Sequence, residues 1–454
     1  YPMSLVDKII NRLNLSPTKA KIMKNIYWAM LGKVVTLLGG LFVGILVARY
    51  LGPEQYGLMN YVISYVSIFQ ILASFGFDDI EIREESKYNG FRDKIIGTAF
   101  LLKLVLAVIT IFLVIGTALL FETNTFTKAM IILYSFSMLF NSSSVVRNYF
   151  TSIVWNEYIV KTEISRTLLG AGVKIVLLLL HASLEWFIMA TLFDVFLLAS
   201  GYVFSYSTKI GKISLWYFDK DWAKYLIKQS FPLLLSGAAV IVYQRIDQVM
   251  IGNMIDKASV GVFSVASRFV EIIIFVPVVM SQTITPLLIR TREKSQADYE
   301  QKSQLFMNIT VWICILLAIL VCLFSYFLIK YTFGKEYILA VPVLHIMAFK
   351  VVGMALSSTA GQMIIIEKQQ KYAFIRNLMG CFVCVGLNLW LIPICGIIGS
   401  AIVTILTTTF VGCLANVFIP PYHRYLRFQL RTLAFGWKDL VKIRDLKGLR
   451  PKNV

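Results

Sequence analysis

The stretch from Lys228 to Arg290 constrains the fold more than any other part of the sequence. It consists of two apolar runs on either side of a short polar hinge, and each run is longer than the roughly 20 residues that a helix needs to cross a bilayer. The two runs nevertheless contain four ionisable residues, which are Arg245, Asp247, Arg268 and Glu271. An ionisable side chain at the centre of a lipid-facing helix costs about 3 kcal/mol. These residues therefore predict a polar cavity within a bundle of membrane helices.

An earlier stretch, from Lys24 to Arg83, repeats this pattern. Aligning Lys24 with Lys228 places Gly57 on Gly261 without a gap. Both stretches have a basic start, a long apolar run, a short polar turn and a second run that contains glycine. Weak internal symmetry of this kind is typical of transporters built from repeated halves, although any two hydrophobic hairpins align to some degree. We predict an internal repeat, because the same number of predicted spans follows each copy.

The composition is that of a polytopic membrane protein. Of the 454 residues, 58% are hydrophobic and only 15% are charged, whereas soluble proteins are about half apolar and about a quarter charged. Hydropathy predicts an all-α fold with about twelve transmembrane helices. The predicted spans are 25–49, 55–82, 94–121, 126–152, 156–181, 184–208, 223–253, 258–289, 303–329, 337–366, 371–392 and 396–419.

The spans divide the chain into five parts. These are a cytoplasmic N-terminal segment (1–24), an N-lobe (25–208), a cytoplasmic linker (209–222), a C-lobe (223–420) and a basic amphipathic cytoplasmic tail (421–454). Lys and Arg residues are concentrated in alternate loops, so the positive-inside rule predicts that both termini are cytoplasmic. The first apolar run is too long for the core of a signal peptide, and we expect it to remain as a span.

The strongly basic balance has a membrane explanation. The net charge of +19 arises mainly from the loops on the cytoplasmic side and from the tail. Basic segments next to membrane helices are attracted to anionic lipid headgroups. We therefore expect membrane lipids, and not nucleic acid, as the partner of these charges.

Charged residues inside the predicted spans are the candidates for a functional site. The basic ones are Lys33, Arg166, Lys174, Arg245, Arg268 and Lys350. A cavity lined by such residues favours an anion, and guanidinium groups suit phosphate because they form paired hydrogen bonds with it. The acidic ones, which are candidates for coupling to an ion or for gating, are Asp78, Asp194, Asp247 and Glu271.

Two more ordinary interpretations stand beside this one. Charges within the bundle can pair only to fix the register of the helices, Arg268 with Glu271 and Arg166 with Glu163. The acidic stretch that contains Asp78, at the end of the second span, can be a gate or an ion site, but a solvated helix end is the favoured interpretation.

The sequence contains no pattern that requires a cofactor. Cys381 and Cys384 have the spacing of a metal or redox motif, but they lie in an apolar run and are expected to be packing residues. The three histidines, His181, His345 and His423, are scattered along the chain. No phosphate-cradling Gly-Lys-Ser/Thr loop is present, so nucleotide hydrolysis is not expected. We predict neither a metal site nor a cofactor.

Several short stretches resemble a known family. They are VARYLGPEQYG at 47–57, FGFD at 75–78, QRIDQVMIG at 244–252 with VGVFSVA at 260–266, and IPICGIIGSA at 392–401. These are similar to hairpins of the Wzx-type polysaccharide flippases, members of the multidrug/oligosaccharidyl-lipid/polysaccharide exporter superfamily. The resemblance extends over the whole chain in the number and order of spans, while the individual motifs are only moderately specific.

The resemblance implies a mechanism. Two six-helix lobes would enclose a central cationic cavity that opens alternately to the two sides of the bacterial cytoplasmic (inner) membrane. The cargo would be an oligosaccharide on undecaprenyl pyrophosphate, moved from the inner leaflet to the outer one, with its pyrophosphate at the basic residues. Arg268 matches a cationic position of the family, whereas Lys33, Arg166 and Lys174 match by location only. The resemblance also implies antiport of H⁺ or Na⁺, and a polysaccharide polymerase and a chain-length regulator as partners.

Three alternatives remain open at the level of sequence. A multidrug or small-solute cation antiporter of the same fold is the first, but such relatives often have an acidic residue deep in the first span, where Lys33 stands here. A membrane glycosyltransferase or polymerase is the second, and it would need a large outward loop or a cluster of catalytic acids, whereas every predicted outward loop is short. A structural scaffold would leave the charges inside the spans unexplained. The chain is therefore predicted not to be an enzyme.

Overall fold

The computed structural model describes residues 17–87 and 92–441, with side chains for Trp28, 31–87 and 92–438. The first sixteen residues of the predicted N-terminal segment and the end of the predicted tail, from residue 442, lie outside the described residues.

Within the described ranges the chain is helical and contains no strand, which confirms the predicted all-α class. Short 3₁₀ turns join several of the helices. The α-helices are α1 (Pro17–Ser74), α2 (Phe77–Lys87), α3 (Arg92–Phe121), α4 (Thr125–Ser135), α5 (Ser137–Asn141), α6 (Ser144–Ser152), α7 (Asn156–Leu179), α8 (Leu184–Lys209), α9 (Lys220–Met254), α10 (Lys257–Lys294), α11 (Gln296–Thr332), α12 (Ala340–Met347), α13 (Lys350–Ile366), α14 (Ala373–Gly412) and α15 (His423–Val441).

Most of these helices are long and apolar enough to cross a bilayer. Nine stretches of the described chain meet that condition, so the protein is a multi-pass membrane protein. Helix α7 is not among them, since it carries Glu163, Arg166 and Lys174 within its length. Two of the nine stretches, Leu31–Lys87 and Gln370–Phe418, contain a kink. The count of twelve crossings stays a prediction.

The two kinks are set by glycine and proline. In α1, Gly52 has a φ of 72°, which is a left-handed conformation that glycine adopts at no steric cost, and Pro53 follows it. In α14, Gly396 has a φ of 59° and lies three residues after Pro393. Proline removes a helix hydrogen bond and clashes with the preceding turn. At both positions, which the sequence predicts as turns between spans, the chain changes direction.

The chain divides into two compact units that are not simply its two halves. The N-terminal unit contains the chain up to Leu51 and Val62–Ala238, whereas the C-terminal unit contains Gly52–Tyr61 and the chain from Ala239 onwards. The first turns of α1 after its kink therefore belong with the C-terminal unit, and the first half of α9 belongs with the N-terminal unit.

The core of the N-terminal unit is formed by side chains from several helices. Phe77 and Ile80 of α2 pack with Val146 and Phe150 of α6, and with residues of α3, α8 and α9. At the start of α9, Asp219 accepts a hydrogen bond from the amide of Trp222 (2.9 Å) and pairs with the Lys94 ammonium group (2.7 Å). The Lys94 ammonium group holds the pKa of Asp219 below its usual range. This pair fixes the beginning of α9 against α3.

The core of the C-terminal unit is formed by α10, α11, α13 and the chain after α14. Met307 and Val311 of α11 pack with Ala355 and Leu356 of α13. Helix α15 packs along α11, which leaves exposed apolar side chains, including Phe435 and Trp437, on its outer surface. This helix, His423–Val441, lies within the predicted tail, whose cytoplasmic location stays a prediction.

Two glycines allow two helices of the C-terminal unit to approach each other closely. A Cβ atom at Gly57 would lie 1.7 Å from the carbonyl oxygen of Lys257, and a Cβ atom at Gly261 would lie 2.1 Å from the carbonyl oxygen of Pro53. The alignment of the predicted repeat places Gly57 on Gly261 and also Pro53 on Lys257. The contact is therefore reciprocal, since equivalent positions of the two copies meet each other.

Candidate substrate and coupling sites

Five of the predicted site residues come together in the C-terminal unit. Helix α9 contributes Arg245 and Asp247, α10 contributes Arg268 and Glu271, and α13 contributes Lys350. The Glu271 carboxylate lies 3.9 Å from Nη1 of Arg245 and 3.5 Å from Nη1 of Arg268. The predicted pairing of Arg268 with Glu271 is thus confirmed. We call these five residues the cationic cluster.

The arginines of the cationic cluster remain accessible. The side chains of Arg245, Arg268 and Glu271 are 40%, 43% and 44% exposed. Lys350 has Asp247, Glu271 and Arg245 as its electrostatic neighbours. Three cations therefore face two carboxylates, and two guanidinium groups share one carboxylate. The excess of positive charge and the accessible N–H donors of the two guanidinium groups are suited to binding a phosphate-containing anion.

Asp247 occupies a different environment from the arginines, because its side chain is buried and held by neutral groups. It accepts hydrogen bonds from Nδ2 of Asn388 (2.7 Å) and Oγ1 of Thr404 (2.8 Å), both on α14. The Cys384 thiol lies 3.6 Å from the same carboxylate. Oδ1 of Asn388 is buried and has no hydrogen-bond partner among the described residues. A buried carboxylate that accepts hydrogen bonds from neutral groups, with Lys350 as a charged neighbour, is a suitable place to bind a proton.

In the N-terminal unit, the structure pairs Lys174 with Asp194. The Lys174 ammonium group donates directly to Oδ2 of Asp194 on the neighbouring helix α8. A Cβ atom at Gly170 would lie 1.9 Å from Oδ1 of Asp194, so the glycine makes room for this pair. Lys174 and Asp194 neutralise each other, and their charges do not add to the cationic cluster.

Lys33 and Arg166 lie on neighbouring helices of the same unit. Gly32, next to Lys33, approaches Val160 of α7 closely enough that a Cβ atom would lie 2.7 Å from it. Lys33 itself is exposed, and Nε of Arg166 is buried without a hydrogen-bond partner among the described residues. Glu163, the predicted partner of Arg166, instead lies 3.9 Å from Nε of Arg147.

Asp78, the remaining predicted acid, belongs to a buried ionic cluster that sequence reasoning missed. The ammonium group of Lys103, on α3, lies 2.7 Å from Oδ1 of Asp78 and 2.8 Å from Oε1 of Glu81. Nδ2 of Asn148, on α6, donates to the same two carboxylates at 2.8 and 2.5 Å. The Ser144 hydroxyl accepts from Lys103 at 3.0 Å. Three helices are therefore joined around one lysine.

The acidic stretch is not the solvated helix end that was the favoured interpretation. Glu81, Glu84 and Glu85 are buried, because α2 packs between α3 and α6 instead of projecting into solvent. Glu84 is accommodated by Arg83 (2.7 Å) and by the hydroxyl group of Tyr225 (3.1 Å). The signal was present in the sequence, since Lys103 is an ionisable residue well inside an apolar run and so demands a partner.

The fold is that of transporters of the multidrug/oligosaccharidyl-lipid/polysaccharide (MOP) superfamily. The chain is similar to an inward-facing multidrug resistance MATE family transporter (TM-score 0.66, 16% identity, covering 88% of this chain and 95% of that one). It is also similar to the lipid II flippase MurJ in an inward closed conformation (TM-score 0.63, 16% identity, 92% and 93% covered). A third similar structure is a MOP superfamily transporter from Pyrococcus furiosus (TM-score 0.55, 17% identity, 92% and 96% covered), described as having a binding pocket of reverse polarity.

The chain belongs to the polysaccharide biosynthesis protein family, whose model matches residues 22–291. No curated protein matches the sequence. The predicted family resemblance is therefore confirmed at the level of this family, and the similar structures show that the chain has the fold of these transporters and of this flippase.

Proposed function

We propose that this protein is a flippase for an oligosaccharide linked to a polyprenyl pyrophosphate, of the undecaprenyl type used in bacteria. The cargo would pass from the cytoplasmic to the outer leaflet of the bacterial inner membrane, with both termini in the cytoplasm. Lobes formed by 25–208 and 223–420 would give access to the two sides in turn. Family membership supports a role in polysaccharide biosynthesis, and the similar fold of a lipid II flippase supports a lipid-linked cargo.

The observation that carries this proposal is the sharing of Glu271 by Arg245 and Arg268. Their guanidinium groups are accessible, and the single negative charge of Glu271 cannot neutralise both positive charges. A pyrophosphate offers the paired acceptor oxygens that fit two guanidinium groups, whereas a cationic drug would be repelled by them. The excess of cations therefore favours a lipid-linked pyrophosphate over the cation antiporter of the same fold.

Replacing Arg268 by alanine is expected to weaken binding of a polyprenyl-pyrophosphate oligosaccharide about 10- to 100-fold. This range corresponds to the loss of about 1.5–3 kcal/mol for hydrogen bonds to a charged group. Flipping is measured in proteoliposomes with a fluorescent lipid-linked oligosaccharide whose label is quenched when it reaches the outer leaflet, and binding is measured in detergent.

Arg427→Ala is the matched control, because Arg427 is an exposed arginine on α15, away from the cationic cluster. It should leave both flipping and binding unchanged. A wild-type protein that moves no glycolipid but exports a lipophilic cation would transfer the function to drug efflux. Equal losses in Arg268→Ala and Arg427→Ala would show that the cationic cluster is not the binding site.

We further propose that Asp247 couples transport to a gradient of H⁺ or Na⁺. Asp247→Asn should keep the hydrogen bond with Thr404 but remove the negative charge. Flipping should therefore continue in the absence of a gradient, but its rate should no longer respond to a gradient of either ion. The measurement compares initial flipping rates with and without each gradient. Asp221→Asn, at an exposed aspartate near the start of α9, should retain the full response. A response to the gradient that survives in Asp247→Asn would assign coupling to another residue.

A further inference from the structure

Helix α2 holds three acidic side chains on one face, and two of them are deeply buried. Asp78, Glu81 and Glu85 are spaced by three and then four residues, so they follow one another along the same side of the helix. The Asp78 side chain is 50% exposed, whereas Glu81 is fully buried and Glu85 is 3% exposed. The face therefore leads from an accessible carboxylate at one end to a buried one at the other.

The lysine of this cluster has no donor left for Glu85. An ammonium group has three N–H donors. Those of Lys103 are directed to Oδ1 of Asp78 (2.7 Å), to Oε2 of Glu81 (3.0 Å) and to the Ser144 hydroxyl (3.0 Å), while Oε1 of Glu81 lies 2.8 Å from the ammonium group without a hydrogen bond. Two carboxylates already share one positive charge before Glu85 is counted.

The other charged groups packed around α2 are committed elsewhere. Arg147 of α6 is the next cation that faces Asp78, but its side chain is half exposed and its Nε lies 3.9 Å from Glu163. Arg83 and Tyr225 bind Glu84 on another side of α2, and the exposed Lys87 ammonium group lies 3.9 Å from the same Glu84 carboxylate. Among the described residues, Glu85 is therefore left with the net negative charge of Asp78 and Glu81 beside a single lysine.

Glu85 itself has no hydrogen-bond partner in the part of the chain that the structure describes. Both of its carboxyl oxygens are buried, and neither has a partner among the described residues. Ser152 of α6 faces Glu85, but its hydroxyl donates to the carbonyl oxygen of Tyr149 (2.7 Å). An unpaired carboxylate in a protein interior costs several kcal/mol, and a neutral carboxylic acid costs far less. The surroundings of Glu85 thus favour its protonated form.

The cluster lies beside an accessible carboxylate and a cavity. Asp78 is accessible at one end of the acidic face. Ser144, which binds Lys103, also lines a cavity of about 220 Å³ within the N-terminal unit, together with Arg147, Glu163 and Tyr202. A proton that enters at either place would be one or two side chains away from Glu81, and Glu81 is one helical turn from Glu85.

We propose that Glu85 is a proton-binding site of the N-terminal unit. Its carboxylate takes one proton from a hydronium ion, which leaves water, and the proton passes by way of Asp78 and Glu81 while Lys103 holds those two carboxylates in place. The site stands on the geometry of α2, α3 and α6 alone. Its use as a second coupling step in transport rests on the proposed flippase function.

Infrared difference spectroscopy on the full-length protein in lipid nanodiscs tests the site without any substrate. A step from acidic to alkaline pH should remove the carbonyl band of a protonated carboxyl group, and that band should shift in D₂O. In an Asp247→Asn background, which removes the other proposed proton site, Glu85→Gln should abolish the band. Glu85→Asp, which retains a carboxyl group, should move it. Asp79→Asn, at an exposed neighbour on the same helix, should leave it unchanged.

The outcomes separate this site from the proposed function. A band of wild-type amplitude in Glu85→Gln, or no protonated carboxyl band in the wild type, overturns the proton site. Loss of the band in Glu85→Gln from a protein that flips no glycolipid confirms the proton site and rejects the flippase function. Loss of the band together with a reduced effect of a pH gradient on flipping supports both.

Discussion

Replacing Lys103 by methionine is expected to destabilise the protein by about 3–5 kcal/mol, the cost of removing one partner from a buried ion cluster. Methionine fills a similar volume, so the loss is electrostatic and not a cavity. The buried Glu81 and Glu85 and the half-exposed Asp78 would then lie close together without the ammonium group that now lies within 3 Å of Asp78 and Glu81. Thermal unfolding in detergent, followed by tryptophan fluorescence, measures the effect.

The pH dependence of the stability loss in Lys103→Met gives a second test, because its direction is also predicted. The deficit comes from uncompensated negative charge, and protonation of the carboxylates removes that charge. The loss of stability should therefore be largest at alkaline pH and should shrink as the pH falls. Lys209→Met, at an exposed lysine at the end of α8, should lose little stability at any pH. A pH-independent loss in Lys103→Met would point to packing and not to charge.

Much of the membrane architecture follows from local sequence. Long apolar runs can only be membrane helices, and Gly52-Pro53 can only interrupt one, so the class of fold and the position of that kink are predictable from the chain alone. The cationic cluster was partly predictable for the same reason. Arg268 and Glu271 are three residues apart on one helix, and their contact is a local property of α10.

The contacts between charged and polar residues of different helices could not be predicted, because they depend on which helices pack together. Lys103 is the plainest case, because its partners Asp78 and Asn148 come from helices before and after α3, and no local pattern links them. Asn388 and Thr404 likewise look like ordinary polar residues of apolar runs until α14 brings them to Asp247. Hydropathy measures the cost of burying a group, but it does not identify the group that offsets that cost.

The same limit explains the outcome for Arg166. One of the two interpretations of the sequence pairs Arg166 with Glu163 on its own helix, since spacings of three residues place side chains next to each other. Arg147 from α6 and the Tyr202 hydroxyl from α8 approach Glu163 instead. Contacts between helices thus replaced a contact within one helix, and the guanidinium Nε of Arg166 was left without a hydrogen-bond partner among the described residues.

Replacing Gly57 by alanine is expected to cost about 3 kcal/mol, at the upper end of the range for overpacking. The added Cβ atom would lie 1.7 Å from the carbonyl oxygen of Lys257 and 2.7 Å from the amide nitrogen of Gly261. These are backbone atoms that cannot rotate away, so the two helices must separate. Small residues at helix contacts in membranes act in this way, because they allow the backbones to approach. Thermal unfolding of the purified protein gives the magnitude.

Gly261→Ala should be nearly as damaging, because its Cβ atom would lie 2.1 Å from the carbonyl oxygen of Pro53. Each substitution pushes apart the same pair of helices, so the double variant should lose clearly less stability than the sum of the two single losses. Gly116→Ala is the control, since nothing lies within 4 Å of its Cβ position, and alanine there should be neutral or slightly stabilising because it favours the helix. Strictly additive losses at Gly57 and Gly261 would mean that the two glycines serve separate contacts. A shared loss would support the internal repeat, since equivalent glycines of its two copies would then form one interface.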